Sequence, residues 1–351
     1  MNQPRFHLLA LALAAALPFL AGCGGGGTPK SPPLNVYTTV EDDEMPAYMK
    51  LWKEAHPDIE LNIIRDSTGI ITSRLLAEKD NPVADVIWGL AASGVDLCRQ
   101  ENMLAPYAPA GMDDLRTEYV DGKNTPPLWV GIKLFMTALV CNTQELARLN
   151  LPMPESYADL TKPVYKGHLT APNPASSGTG FMLVGGILQT LGEEEGWKLL
   201  HGIHENIALY THSGSKPAKL AGQGEFPIGI SFDYRATRQK QLGEPIKAIY
   251  PREGSGYEIE ANALMRKANQ HLAATIFLDW AVSRPVMEAY GVQYRMLASK
   301  SVVPTVSDPD YPADPFSALT KKQDLEWMAK NRERILKEWS RRFDGKSEPK
   351  A

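Results

Sequence analysis

Residues 34–88 read LNVYTTVEDDEMPAYMKLWKEAHPDIELNIIRDSTGIITSRLLAEKDNPVADVIW. Residues 34–37 form a short apolar run that reads as a strand. Residues 44–55 place Met45, Tyr48, Met49 and Trp52 on one face at helical spacing, and Ile59, Leu61 and Ile63 then alternate as a second strand. Ser67 or Thr68 stands where a cap belongs, ahead of a helix through Lys79, and residues 84–88 follow Asn81-Pro82 as a third strand. Strand and helix in regular alternation predict a mainly parallel sheet covered by helices.

The alternation continues outward. A long apolar segment, residues 129–140, ends in Cys141-Asn142-Thr143. Beyond it lie a strand at 168–171, helices at 178–191 and 193–204, strands at 208–210 and 227–231, and a helix at 234–242. Strands at 246–250 and 257–265 follow, then helices at 271–283, 286–290 and 324–341. This length of folded chain exceeds one comfortable core, so two lobes or one large α/β domain are expected, and one organisation has the chain leave the first lobe near residue 135 and return near 235. The first lobe takes residues 34–135 and the second 136–235. Residues 236–351 return mostly to the first lobe and add C-terminal helices. In the last of these, Glu326, Arg332 and Glu338 read as an exposed face.

The 351 residues carry 37 basic and 41 acidic side chains, a net charge of −4, which leaves no electrostatic footprint for nucleic acid. Near the N-terminus, Arg5 and His7 precede an apolar run, residues 8–20, interrupted only by Pro18. Leu20-Ala21-Gly22-Cys23 then gives small residues before a cleavage point, the layout of a secretory signal over residues 1–22. The run is too short to span a bilayer. The glycines at 24–27 and the Pro-rich residues 29–33 make 23–33 a flexible tether. Because its small residues stand directly before a cysteine, the segment resembles the bacterial lipobox. That implies lipid on Cys23 and a body held at a membrane, in the periplasm or at the cell surface. Cys98 and Cys141 fit either one disulfide or two buried thiols.

In open α/β sheets ligands sit at the carboxyl ends of strands. Three loops there are rich in hydroxyls and glycine: Asp66-Ser67-Thr68-Gly69, residues 174–180 (PASSGTG) and Thr211-His212-Ser213-Gly214-Ser215-Lys216. A helix N-terminus presents unpaired N–H groups and partial positive charge, so such a loop surrounds an anion with neutral donors. Phosphate-like oxygens fit that best. Enzyme signatures are weak: Ser213 and Lys216 make a Ser-x-x-Lys pair without its companion motifs, and the spacing of His201, His204 and Glu205 is not that of a zinc site.

The strings RDSTGIITSRLLAEK (65–79), NPVADVIWGLAA (81–92), NPASSGTGF (173–181), YTHSGSKPAK (210–219) and ISFDYRA (230–236) resemble those of the 2-aminoethylphosphonate-binding proteins of ABC importers. That group is related to ferric-iron and phosphosugar receptors. The resemblance covers nearly all of residues 34–351 in the same order. It implies a type II periplasmic-binding fold, two α/β lobes whose central sheets are joined by crossing strands, a monomer that binds small cargo in the cleft without catalysis or cofactor, and permease subunits as partners. Residue by residue it points to Thr39, Glu41, Ser67, Thr68 and Trp88 in the first lobe. In the second it points to Ser176, Ser177, Gly178, Thr179, Ser213, Ser215, Asp233 and Tyr234. Ser177, Gly178 and Thr179 are expected to form the main phosphonate cradle, with Ser67, Thr68 and Ser213 assisting.

The ammonium of such a cargo needs a carboxylate to offset its lost hydration, and Glu41, Asp233 and Glu260 are the candidates. Trp88 or Tyr234 could add a cation–π contact. Iron-binding relatives use adjacent tyrosines, whereas this chain has Phe232-Asp233-Tyr234. A phosphosugar receptor would keep the same hydroxyl loops and differ only at the far end of the cleft.

Overall fold

The computed structural model describes residues 32–349. The expected signal peptide, most of the tether and Cys23 lie outside the described residues. In chain order the elements are β1 (Leu34–Thr38), α1 (Met45–Ala55), β2 (Leu61–Arg65), α2 (Thr68–Ala77), β3 (Val86–Ala91), α3 (Ala92–Gln100), β4 (Leu104–Ala105), β5 (Val130–Asn142), α4 (Thr143–Arg148), β6 (Leu169–Pro172) and α5 (Gly178–Leu191). There follow α6 (Glu193–Asn206), β7 (Ile207–Thr211), α7 (Lys216–Gly222), β8 (Ile228–Phe232), α8 (Asp233–Gln241), β9 (Ile246–Ile249), β10 (Tyr257–Met265), α9 (Ala273–Ala281), α10 (Arg284–Gly291), β11 (Met296–Leu297) and α11 (Leu325–Phe343).

Local chemistry accounts for the boundaries. Pro46 and Pro285 sit in the first turns of α1 and α10, where a missing N–H costs nothing. Asp324 caps α11 by accepting from Glu326 N at 2.9 Å and Trp327 N at 3.1 Å. Of the expected face of α1, Tyr48 and Trp52 are buried.

The strands run in the order β2-β1-β3-β10-β5-β8-β6-β7, with β4 on β10 and β9 and β11 on β5. β1 pairs in parallel with β2 and β3, and β6 with β7 and β8. The middle differs: β10 is antiparallel to β3 and β5, and β5 is antiparallel to β8. The sheet is therefore mixed rather than mainly parallel. Helical crossovers set parallel pairing between sequence neighbours. β5 and β10 meet from far apart in the chain, which local spacing does not reveal.

β5 ties the two ends together. Its 13 residues are all buried. Residues 130–136 pair with β10 and residues 137–141 with β8. A hydrophobic cluster flanks each half. One holds Tyr48, Trp88, Phe277 and Tyr290, the other Phe181, Leu200, Met328 and Trp339. At about 1.5–3 kcal/mol for each fully buried Leu- or Phe-sized side chain, these clusters dominate the stability of their halves.

The chain returns later than the expected boundary at residue 235. β9 pairs with residues 139–142 of β5, so α8 and β9 remain on the β8 side. The passage back falls between β9 and β10. Within α11, Met328, Ile335, Trp339 and Phe343 join the second cluster. Arg332 is buried rather than exposed, its guanidinium 4.4 Å from the centre of the Phe181 ring. Cys98 and Cys141 are free buried thiols, and burial pushes the Cys98 thiol up to about 12.

Candidate ligand-binding site

Strands β1, β2, β6, β7 and β8 end at one region, and a cavity opens there between the two halves. One wall is made by the N-termini of α2 and α5. Ser67 occupies the N-cap position of α2 in extended backbone and makes no side-chain cap bond. Its hydroxyl is left to face the cavity, which Thr68 also lines. Ser177 caps α5 by accepting from Gly180 N at 3.3 Å. Ser177, Gly178 and Thr179 line the same wall, with Gly214 from the loop after β7.

These loops touch one another. Gly69 N donates to Ser176 O at 2.9 Å. A Cβ on Gly178 would lie 2.4 Å from Thr68 Oγ1, and one on Gly214 would lie 2.2 Å from Thr179 Oγ1. Only glycine permits that approach. Two helix N-termini, each with partial positive charge, thus converge beside hydroxyl groups; Gly69 N and Gly180 N are already bonded, which leaves the N–H groups of Thr68, Gly178 and Thr179 for an anion.

The rest of the lining is Thr39, Glu41, Arg65 and Glu260, with the rings of Phe135 and Phe232. Thr39 donates its hydroxyl to Gly89 O. Glu41 accepts from Arg235 and has Arg65 Nη2 at 3.3 Å, so two guanidinium groups hold it. Glu260 is different. It is 7 % exposed, its Oε2 has no hydrogen-bond partner, and Lys133 Nζ is 3.4 Å away. Burial pushes its carboxyl up to about 8, against the opposing pull of Lys133.

Behind Glu260, Lys133 is fully buried in β5. Its Nζ lies 3.0 Å from Glu44 Oε1 and 3.7 Å from the centre of the Tyr294 ring, with the Tyr290 ring at 5.2 Å. A buried ammonium needs such partners. The sequence held its signal: one cation in the middle of an otherwise apolar strand. Also on the wall are Gly214 of the third hydroxyl loop, Phe232 just before Asp233, and Arg65 and Phe135, for which the sequence carries no site signal.

Six expected residues lie off the cavity wall. Trp88 is core: its ring packs on Tyr48, Phe277 and Trp280 at 5.6–5.8 Å, and Nε1 donates to Tyr290 Oη at 2.9 Å. Asp233 is buried beneath the cavity, accepting from Met136 N at 3.2 Å and from the Tyr311 hydroxyl. Burial pushes its carboxyl up to about 6. Tyr234 stacks on Tyr294 at 5.0 Å. Ser176 donates to His212 O at 2.8 Å, and the Ser213 and Ser215 hydroxyls pair with each other at 3.3 Å. Each of the six is instead held by contacts within the fold: the three serines bond to loop atoms, and Trp88, Asp233 and Tyr234 pack among buried side chains.

The sequence profile of bacterial extracellular solute-binding proteins matches residues 81–321. The chain belongs to that family. This solute-binding protein is 28 % identical over 287 residues to an uncharacterized protein of Haemophilus influenzae, covering 81 % of this chain and 82 % of the relative. It is 26 % identical over 295 residues to a probable ABC transporter periplasmic-binding protein of Sinorhizobium fredii, covering 82 % and 77 %. Among solved structures, the periplasmic binding protein AfuA of Actinobacillus pleuropneumoniae, with exogenous fructose 6-phosphate bound, superposes with a TM-score of 0.80 at 25 % identity, over 89 % of this chain and 99 % of that one. The fold is thus that of the type II periplasmic binding proteins. Members of this group are extracytoplasmic receptors of ABC importers, which bind cargo for a permease and are not enzymes.

Proposed function

We propose that this receptor captures a small phosphonate, 2-aminoethylphosphonate, and delivers it to an ABC permease while lipid on Cys23 keeps it at the membrane. The observation that carries this reading is the pairing of two chemistries across one cavity. The α2 and α5 termini, with Ser67, Thr68, Ser177 and Thr179, offer N–H and O–H donors to an anion. Opposite them, Glu260 Oε2 is buried without a hydrogen bond among the described residues, its cationic neighbour being Lys133 Nζ at 3.4 Å, which Glu44 holds more closely at 3.0 Å. A phosphonate takes the donors and an ammonium takes the carboxylate, each charge-assisted bond contributing about 1.5–3 kcal/mol. Of the three candidate carboxylates, Glu41 is held by two arginines and Asp233 is off the wall; Glu260 lines it and shares a single lysine with Glu44, which makes it the best placed of the three.

The mechanism is binding without chemistry. The halves on either side of β5 act as lobes, with the first comprising β1–β3 and β10 and the second β6–β9. They close over cargo about β5 and the β9–β10 passage, excluding water and strengthening every polar contact inside. The permease then reads the closed shape.

A phosphosugar is the second reading, favoured by the sugar phosphate in the Actinobacillus receptor. The same donors would hold its phosphate, and Glu260 would accept from sugar hydroxyls. A ferric ion suits the wall less well, since it presents two phenyl rings and no phenol. Calorimetric titration of the purified protein with 2-aminoethylphosphonate, phosphate, fructose 6-phosphate and ferric citrate separates these. Tight binding of 2-aminoethylphosphonate alone supports the proposal. A preference for the sugar phosphate keeps the anion wall and changes the cargo, and binding of ferric citrate alone overturns both.

A further inference from the structure

Behind the anion wall runs a short strap, residues 344–349. Ser347 bridges in parallel to Tyr210, and Glu348 N donates to Tyr210 O at 2.9 Å. The strap therefore extends the sheet beyond β7, an edge strand that otherwise leaves backbone groups unpaired. Its side chains then reach both loops of the second half. Ser347 Oγ accepts from Asn173 Nδ2 at 2.9 Å and donates to Asp344 Oδ1 at 2.9 Å. Glu348 receives both of its oxygens' bonds from Lys216 Nζ, at 2.8 and 2.9 Å. Pro349 O is 2.8 Å from His212 Nε2.

Asn173 is the key to the first loop. Its Oδ1 accepts from Ala175 N at 2.8 Å and its backbone oxygen from Ser177 N at 2.9 Å. It thereby sets where α5 begins. Lys216 opens α7 and donates its N–H to Ser213 Oγ at 3.2 Å, fixing the loop that carries Gly214. The two loops present Ser177, Gly178, Thr179 and Gly214 to the cavity on their front and are tied to one strap at their back.

We infer that Ser347 and Glu348 are positioning residues for the anion cradle: they touch no cargo and set the spacing between the α5 and α7 entry loops. This rests on the phosphonate reading of the cavity only for the choice of titrant. A weakly exposed ion pair contributes little energy in itself; what it supplies here is registration of two loops whose closest approach leaves no room for a Cβ.

The test uses the full protein in four forms: wild type, Lys216→Glu, Glu348→Lys and the double charge swap. The readouts are titration with 2-aminoethylphosphonate and methylphosphonate, and amide hydrogen exchange over residues 173–181 and 210–216. Each single reversal is expected to weaken both phosphonates equally, by about tenfold, within the coupling range of interacting pairs. Exchange in both loops should accelerate, and the swap should restore both readouts. Ser347→Ala should accelerate exchange at 173–181 alone. Unchanged loop exchange in the single variants overturns the inference whether or not any phosphonate binds, and so does failure of the swap to rescue. A wild type that binds neither phosphonate sinks the cargo reading instead and leaves the exchange arm to decide.

Discussion

Arg235 on α8 forms a bidentate pair with Asp43, which follows β1: Nη1 lies 2.9 Å from Oδ2 and Nη2 lies 2.7 Å from Oδ1. The same guanidinium donates to Glu41, on the cavity wall. Burial alone would push the Asp43 carboxyl up, and the bond from Arg235 outweighs it, holding Asp43 below its ordinary range. One residue of the second half thus grips two acids of the first, and α2 and the α5 entry loop touch as well.

Arg235→Gln and Asp43→Asn should therefore weaken cargo binding without altering the cradle. The expected loss is about tenfold, below that of a fully buried pair because Asp43 keeps 33 % of its side chain in solvent. Stopped-flow measurement should show the loss in the dissociation rate. If association slows and dissociation does not, the pair acts in encounter and is no latch.

The cradle itself is tested by substitutions of opposite kind. Ser177→Ala and Thr179→Val each remove a donor and should weaken phosphonate binding by about 1–3 kcal/mol. Gly178→Ala adds a methyl where Thr68 Oγ1 would lie 2.4 Å away, so it wedges the loops apart. It should lose more affinity than either donor deletion while the melting temperature hardly changes. Affinities unchanged by all three would remove these loops from the site.

Arg332 offers a stability test. It is buried, and burial pushes it down to about 10 with Glu258 pulling the other way. Its Nη1 and Glu258 Oε1 both lack hydrogen-bond partners among the described residues. Arg332→Met with Glu258→Gln keeps the packing on Phe181 and removes both desolvated charges, so it should be neutral or stabilising. Arg332→Ala leaves a hole and should cost about 2–4 kcal/mol. Urea denaturation of both distinguishes a tolerated charge from a required one: equal losses would mean the charge is required.

Much of this was legible because the informative signals are local. Ser67, Thr68, Ser177 and Thr179 stand at strand ends before helices, and glycine beside them marks close approach; both features are visible in a single string. Lys133 was readable in principle as a cation in an apolar strand. What stayed hidden depends on long-range geometry. Asp233 follows the wall residue Phe232 and is not itself on the wall, and Trp88 belongs to an aromatic cluster gathered from α1, α9 and α10; nothing local fixes either. Arg332 carries the charge of an exposed face and is buried because α11 is covered on that side. β9 pairs with β5 rather than with the first half because register is set by the completed sheet.

The last prediction concerns pH. Glu260 is raised from its ordinary 4.5 to about 8, and Glu258 to about 7, both chiefly by burial. Below pH 4.5 folded and unfolded chains both hold these protons, and the groups cost nothing. Between the unfolded and folded values the unfolded chain has released the proton and the folded one has kept it, so stability falls as pH rises through that window. These two groups should make the protein melt lower at pH 8 than at pH 5; the gain from acids held low, such as Asp43, is complete by pH 5 and does not oppose the decline. Glu260→Gln removes one contribution and should flatten the decline and raise the melting temperature at pH 8. Cargo bearing an ammonium should flatten the decline in the wild type by favouring the ionised carboxylate, whereas methylphosphonate should raise the melting temperature at both pH values and leave the decline in place. Melting curves at both pH values, with and without each ligand, check this: a wild-type slope unchanged in Glu260→Gln would mean that Glu260 is ionised in the empty site.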